Sequence, residues 1–199
     1  LQSPSYPANT ISIIEQFLAL NNFQVAWEKV AAKQGSAGVD NETIADFGNN
    51  LSHNLTLLRD SIANNSYQPL PCKQAFLPKG KGKFRELKIP TIRDRIIQHA
   101  LLNVITPLIE PQFSASSFAY RPNLSYINAV EKVAHYRDNG YVFVLDADLV
   151  KFFDNINHQQ LLIKVKKFLN NEDILSLIKA WITAGVLTEN GLIKSTKGI

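Results

Sequence analysis

The chain has 199 residues, of which 45% are hydrophobic and 19% charged, a composition typical of globular proteins rather than of disordered chains. Its single cysteine excludes an intrachain disulfide, and its four histidines lack cysteine partners at zinc-like spacing. No apolar run approaches the ~20 residues that a membrane span needs, and no charged-then-apolar leader opens the chain. We therefore expect an incomplete, cytoplasmic protein that has no membrane partner.

The first half of the chain shows helical periodicity interrupted by one pair of strands. Helices are predicted from an Asn9-Thr10 cap to about residue 20, and at 23–33, 44–62 and 91–108. Strands are predicted at 74–77 and 84–89, around a Lys-Gly-Lys-Gly-Lys turn.

The second half of the chain is predicted to hold three helices, at 125–137, 158–169 and 171–184, the last capped by Asn170. Between the first two, the nearly continuous apolar run 141–145 indicates a strand buried on both faces. The layout as a whole predicts an α+β fold in which helices outnumber strands.

Positive charge is concentrated in one segment. Residues 73–95 hold eight basic and two acidic side chains, whereas the net charge of the whole chain is only +4. A local basic stretch on a near-neutral body suggests a site for phosphate groups, although a solvated hairpin and helix face is an equal alternative.

Asp146 and Asp148 close the predicted buried strand. Residues two apart on a strand point to the same face, so the two carboxylates can share one site. Mg²⁺ prefers such hard oxygen ligands. The alternative is that these aspartates cap the turn that follows.

Three groups of basic and aromatic residues are candidates for phosphate or nucleic-acid contacts. Lys79 and Arg85 flank the glycine-bearing turn, where Arg acts as a bidentate clamp and Lys as a point charge. Further along the chain follow Arg93, Arg95 and Gln98 after the helix start, and then the pair Tyr120 and Arg121. For the helix residues a solvated face is the alternative, and for the aromatic–arginine pair a structural role is favoured.

Taken together, these segments resemble the group II intron-type reverse transcriptases. The matching blocks, in order, are GVD (38–40), FLPK (76–79), GKFR (82–85), IPTIRDRIIQ (89–98), FAYRP (118–122) and DLVKFFDNINH (148–158). The resemblance runs from about residue 35 to the end of the chain and preserves the order and spacing of the blocks.

The resemblance implies the fingers and first part of the palm of a right-hand polymerase, with residues 1–135 as fingers and 136–199 as the start of the palm. It implies RNA-directed DNA synthesis, with an RNA template, a DNA primer and dNTPs as partners and two Mg²⁺ ions as cofactors. Similar proteins bind intron RNA or work beside a CRISPR adaptation integrase, and these two settings are favoured. Retrons and diversity-generating elements stay open as further settings.

Individual roles follow from the same resemblance. Asp148 is expected to be the first metal-binding aspartate, with the Leu149 carbonyl as a further ligand and Asp146 as a neighbour. Phe153 takes the position that lies under the sugar of the incoming nucleotide. Lys79 and Arg85 match the residues that hold its triphosphate.

Two departures from the family pattern affect these expectations. Arg85 is followed by Glu86-Leu87-Lys88 rather than by the usual Pro-Leu-Gly. The Gln-Gly and Ala-Asp-Asp blocks are absent, so we expect this chain to be inactive without the rest of the palm and the thumb. The alternative is a non-catalytic relative that binds RNA or a partner protein.

Overall fold

A computed structural model describes residues 12–199 and confirms the α+β fold class. The helices are α1 (Ile13–Phe17), α2 (Leu20–Ala32), α3 (Ile44–Gly48), α4 (Leu51–Ala63), α5 (Ile92–Ile109), α6 (Tyr126–Asp138), α7 (His158–Lys166) and α8 (Glu172–Thr183). The strands are β1 (Cys72–Gly80), β2 (Lys83–Ile89), β3 (Val186–Thr188) and β4 (Gly191–Ile193). Short 3₁₀ turns occupy Glu110–Gln112 and Phe153–Asn155.

Local side-chain caps determine where several helices begin. Ser12 and Thr43 each accept a hydrogen bond from the backbone N–H three residues later, and the carboxylates of Glu15 and Asp46 accept the N–H of the cap in return. The predicted cap at Asn9-Thr10 lies outside the described residues. At the other end of the chain Asn171, not the predicted Asn170, caps α8.

The single helix predicted over 44–62 is two helices in the structure. Gly48 ends α3, and the backbone of Asn50 is not helical, with φ −137° and ψ 52°. Asn54 at the start of α4 donates its side-chain amide to the carbonyl oxygen of Phe47 at 2.8 Å. This bond stabilises the break because it satisfies a carbonyl at the end of α3.

The hydrophobic core is built around α5, which packs on α1 and α2. Of the apolar residues that predict the helix at 91–108, Ile92, Ile96 and Ile97 are fully buried, whereas Leu102 and Leu108 are 46% and 44% exposed. Leu169 and Ile174 from the C-terminal part of the chain join the same core. The proposed boundary at 135/136 falls inside α6, and the division into fingers and palm stays a prediction.

One four-stranded sheet joins distant parts of the chain in the order β2-β1-β3-β4. The predicted hairpin of β1 and β2 is confirmed, whereas β3 and β4 were not predicted. β3 runs parallel to β1, and the carbonyl of Gly185 accepts the N–H of Cys72 at 2.9 Å. Only glycine suits this position, because Gly185 has φ +84° and a side chain would overlap the carbonyl oxygen of Ile193.

The apolar run 141–145 corrects the prediction of a strand buried on both faces. Within residues 12–199 no segment pairs with it, and Phe143 is 96% and Leu145 93% exposed. The preceding helix α6 also leaves Val130 and Val133 exposed. A strand forms through hydrogen bonds to a neighbouring strand, so an apolar sequence that has no neighbouring strand stays unpaired.

A buried polar network ties α8 to the start of α5. The hydroxyl of Tyr67 donates to the Asp94 carboxylate and accepts the indole N–H of Trp181 at 2.9 Å. The hydroxyl of Thr91 donates to the other Asp94 oxygen at 2.8 Å. Burial raises the pKa of the Asp94 carboxyl, while hydrogen bonds from Tyr67, Thr91 and the backbone of Leu70 lower it.

Within the part of the chain that the structure describes, no helix is long and apolar enough to cross a membrane.

Replacing Tyr67 by phenylalanine is expected to lower the free energy of unfolding by about 1–3 kcal/mol, because Asp94 and Trp181 both lose a buried partner. Tyr136→Phe is the matched control, since Tyr136 is 46% exposed, and it should change stability by less than about 0.5 kcal/mol. Urea unfolding of the two variants measures both effects. Equal stability of both variants would contradict the role given to the network.

Candidate nucleotide and nucleic-acid site

Lys79 and Arg85 both lie beside the turn of the hairpin. Leu77 lies opposite Arg85 in the antiparallel register, and Lys79 is two residues beyond Leu77 on the same strand. Lys79 has no partner on β2, because a register shift lies between Pro78 and Gly80 and interrupts the alternation of faces there. The two cations are therefore close to the same turn, and a joint phosphate site stays a prediction.

The tip of the hairpin is a tight turn that presents positive charge to solvent. Gly80, Lys81 and Gly82 all have positive φ, between 51° and 84°, which the two glycines adopt without strain. The basic side chains at the tip (Lys79, Lys81, Lys83 and Arg85) are exposed, and none forms an ion pair within residues 12–199. Four uncompensated cations on a two-stranded support suit a polyanionic ligand.

The opposite face of the hairpin has different chemistry. Phe76 and Phe84 are 57% and 66% exposed, and the side chain of Gln74 donates to Glu86 at 2.8 Å. Lys88 on this face lies 3.9 Å from Asp154, which brings the base of β2 near the turn that follows Asp148. Sequence reasoning did not identify this approach, because no local pattern links residues 66 positions apart.

Asp146 and Asp148 lie at the end of the unpaired segment that follows α6. Both are exposed, and the neighbouring Leu149 side chain is 69% exposed. Among residues 12–199 the structure contains no group of three or more histidine, cysteine or acidic side chains that could enclose a metal ion. The oxygens of Asp148 and of the Leu149 carbonyl are hard donors suited to Mg²⁺, but they supply only part of a coordination shell.

Phe153 begins the 3₁₀ turn just beyond these donors. Its side chain is half exposed and meets the ring of Phe152 edge-on, with centroids 5.3 Å apart. Lys151 has φ +48°, and its carbonyl accepts the side-chain amide of Asn155 at 3.1 Å. Asp148 and Phe153 are thus joined by a short, sharply turned segment.

Arg93 and Arg95, two of the predicted nucleic-acid contacts, donate hydrogen bonds to other residues of this chain. Arg93 makes a bidentate pair with Glu42 at 2.9 and 2.7 Å and lies over the ring of Phe47. Arg95 donates to the carbonyl of Ser36. These contacts give both arginines a structural role, which the solvated face considered as the alternative did not include, while a nucleic-acid contact of either residue stays a prediction.

Gln98 occupies the same helix and is half buried. Its contact with nucleic acid also stays a prediction. One turn away, the hydroxyl of Thr91 caps α5 by accepting the N–H of the buried Asp94 at 3.1 Å.

Tyr120 and Arg121 diverge although they are adjacent. Arg121 binds Glu110 at 2.7–2.8 Å and donates to the carbonyls of Ser114 and Ser117 at 2.9 and 2.8 Å, which closes the loop around it. Tyr120 has φ +59° and is 95% exposed. Its ring is accessible for stacking, and that contact stays a prediction.

The chain is similar in sequence to one family model and to several known proteins. Residues 77–199, more than half of the chain, match the family model described as "Reverse transcriptase (RNA-dependent DNA polymerase)". The chain is 34% identical over 152 residues to Protein YkfC of Escherichia coli (strain K12), a match covering 74% of this chain and 40% of that protein. It is 26% identical over 168 residues to the group II intron-encoded protein LtrA of Lactococcus lactis subsp. cremoris, covering 83% and 27% of the two chains.

A solved structure shares the fold. A chain of a partial Cas6-RT-Cas1–Cas2 complex superposes with a TM-score of 0.61 at 20% identity, covering 96% of this chain and 31% of that one. The present chain therefore spans 27–40% of the length of these three proteins.

The internal contacts of Arg121 predict that Arg121→Ala lowers the free energy of unfolding by about 1.5–3 kcal/mol, the cost of losing hydrogen bonds from a charged group. Arg85→Ala is the matched control and should stay within about 0.5 kcal/mol of the parent, because Arg85 is exposed. Chemical denaturation measures both variants. Unchanged stability of Arg121→Ala combined with weaker RNA binding would assign Arg121 to nucleic acid instead.

Proposed function

The chain belongs to the reverse transcriptase family, and on that premise we propose that it supplies the fingers (1–135) and the first part of the palm (136–199) of an RNA-directed DNA polymerase. The reaction adds dNTPs to a primer 3′-oxygen on an RNA template. The observation that carries this proposal is the family match over 77–199, taken together with the exposed Lys79 and Arg85 beside the turn of the hairpin.

In this proposal, Lys79 and Arg85 hold the triphosphate of the incoming nucleotide. Both residues lie beside the turn of a hydrogen-bonded hairpin, are exposed and form no ion pair within residues 12–199. The guanidinium of Arg85 binds two phosphate oxygens at once, and the ammonium of Lys79 adds a point charge beside it. Holding the triphosphate in line with the primer terminus is the main contribution of such groups to rate.

Asp148 and the carbonyl of Leu149 are proposed as metal ligands. Two Mg²⁺ ions about 3.5–4 Å apart stabilise the attacking and leaving oxygens in reactions of this class. The oxygen donors present fit Mg²⁺, but the described residues offer no cluster that would hold two ions. We therefore expect further carboxylates from outside the 199 residues to complete the site.

Phe153 is proposed to lie under the sugar of the incoming nucleotide. Its ring is half exposed and is reached from Asp148 through one short turn. A bulky ring at that place excludes a 2′-hydroxyl and so selects deoxynucleotides.

The biological setting is proposed from the relatives. Several of them are intron proteins, among them LtrA and the "Putative COX1/OXI3 intron 2 protein" of Saccharomyces cerevisiae, which is 27% identical over 172 residues. Intron RNA is therefore the partner that the sequence relatives favour. A CRISPR adaptation integrase is the second candidate, favoured by the fold shared with the Cas6-RT-Cas1–Cas2 chain.

The test is Mg²⁺-dependent primer extension on an RNA template, performed with the full-length protein that contains this sequence and with the 199-residue chain. The full-length protein is expected to extend the primer with dNTPs, and the 199-residue chain is expected to be inactive. Asp148→Asn in the full-length protein should lower the rate about 100-fold or more, because changes even beyond the direct ligands of a metal cost 10–100-fold. Glu189→Gln, an exposed carboxylate in the β3–β4 turn, is the matched control and should keep full activity.

Full activity of Asp148→Asn would contradict the proposed metal role. Extension by the 199-residue chain above the Asp148→Asn background would contradict its expected inactivity. RNA binding by the full-length protein without any extension would favour the non-catalytic binding function.

A further inference from the structure

Residues 197–199 form a clasp on the turn that holds Phe153. The N–H of Ile199 donates to the carbonyl of Phe153 at 3.1 Å, and the N–H of Gly198 donates to the carbonyl of Ile156 at 2.8 Å. The side chain of Lys197 donates to the side-chain oxygen of Asn155 at 3.0 Å. The backbone that carries the Phe153 ring is therefore held by a segment more than 40 residues further along the chain.

Gly198 allows this close approach. A Cβ atom at Gly198 would lie 2.7 Å from the carbonyl oxygen of Asp154 and 3.0 Å from its Cα, closer than side-chain carbons come to backbone. Gly198 also has φ +78°, which other residues adopt only with strain. The clasp is therefore in direct contact with the backbone of Asp154, the residue that follows Phe153.

His158 holds the clasp in place from the other side. Its Nε2 atom lies 2.7 Å from the carbonyl oxygen of Gly198. A carbonyl oxygen only accepts, so Nε2 carries the proton and donates. His158 is the first residue of α7, where the side chain of Asn157 caps the helix by accepting the N–H of Gln160 at 3.0 Å, so the imidazole projects from a fixed backbone.

We propose that His158 is a positioning residue for sugar selection, acting through Gly198 and the Phe153 backbone. This inference rests on the proposed function, because it assumes that the Phe153 ring lies under the nucleotide sugar. The chain of contacts is continuous: imidazole to Gly198 carbonyl, Gly198 against Asp154, and Ile199 to Phe153.

The physical requirement is accuracy of placement. A ring excludes a 2′-hydroxyl only where the hydroxyl would overlap it, so a displacement of about 1 Å opens enough space to admit a ribonucleotide, a scale of misplacement that can change rates up to about 100-fold. The Phe153 side chain is half exposed and touches Phe152 edge-on, so side-chain packing alone constrains it weakly. Its position depends on the backbone, and the clasp holds that backbone.

The experiment measures kcat/KM for a dNTP and for the matching rNTP in the full-length protein, together with the thermal unfolding midpoint. His158→Ala is expected to reduce the dNTP-to-rNTP ratio about tenfold, within the range for a small misplacement. His158→Gln should restore most of the ratio, because the glutamine amide can still donate to the Gly198 carbonyl. Gln159→Ala, an exposed neighbour on the same helical turn, is the matched control and should keep the parental ratio.

A double-mutant cycle identifies the route of the effect. If His158 acts through Phe153, then His158→Ala should reduce the ratio no further in a Phe153→Ala background. Fully multiplicative losses would overturn the inference. The inference is also overturned if His158→Ala lowers the unfolding midpoint and lowers kcat/KM for the dNTP and for the rNTP by the same factor. An unchanged ratio of this kind is the behaviour of a purely structural residue.

The two levels of the proposal fail in different ways. No extension with dNTPs by the unmodified full-length protein overturns the proposed function, and the positioning role falls with it. Normal extension with unchanged selectivity in His158→Ala overturns the positioning role alone.

Discussion

The fold depends most on one buried carboxylate at the start of the central helix. Asp94 receives hydrogen bonds from Thr91 and Tyr67, and Tyr67 in turn accepts the indole N–H of Trp181. An unpaired buried charge would cost several kcal/mol, so these donors must be in place for α5 to begin where it does. Because Trp181 belongs to α8, the same bonds hold α8 against the start of α5, and the pairing of β3 with β1 joins the strands that follow α8 to the hairpin.

The two parts of the candidate site, the cations of the hairpin and Asp148, differ in how they are supported within the described residues. The exposed cations Lys79 and Arg85 are carried by a complete hairpin, whose strands are paired along most of their length. Asp148, by contrast, follows segment 141–145, which is unpaired in the described chain and highly exposed. We therefore propose that the nucleotide clamp is formed within these residues, whereas the metal site needs a supporting strand and further carboxylates. The match to only 27–40% of the length of relatives accords with this incompleteness.

Local sequence signals predicted the elements that local physics determines. The Lys-Gly-Lys-Gly-Lys turn, the helix that contains Ile92, Ile96 and Ile97, and the start of α6 near Ser125 are each encoded within a few residues. What sequence reasoning missed depends on contacts between distant residues: Tyr67 with Trp181, β1 with β3, and His158 with Gly198. The same limit applies to charge, because the sequence could not tell that Glu42 would pair with Arg93 or that Glu110 would pair with Arg121. The prediction of a strand at 141–145 was wrong because the hydrophobicity of a segment indicates that it tends to be buried. It does not indicate whether a neighbouring strand is present to pair with it.

We propose that Asp148 is the catalytic aspartate and that residues 141–145, unpaired here, become a strand only beside parts of the polymerase outside these 199 residues. Backbone amide hydrogen exchange of residues 141–149 tests it most directly, measured in the 199-residue chain and in the full-length protein. The account predicts rapid exchange in the 199-residue chain and strong protection in the full-length protein, while the β1–β2 hairpin base exchanges slowly in both. Equal exchange of 141–149 in the two proteins, whether fast or slow, would contradict it.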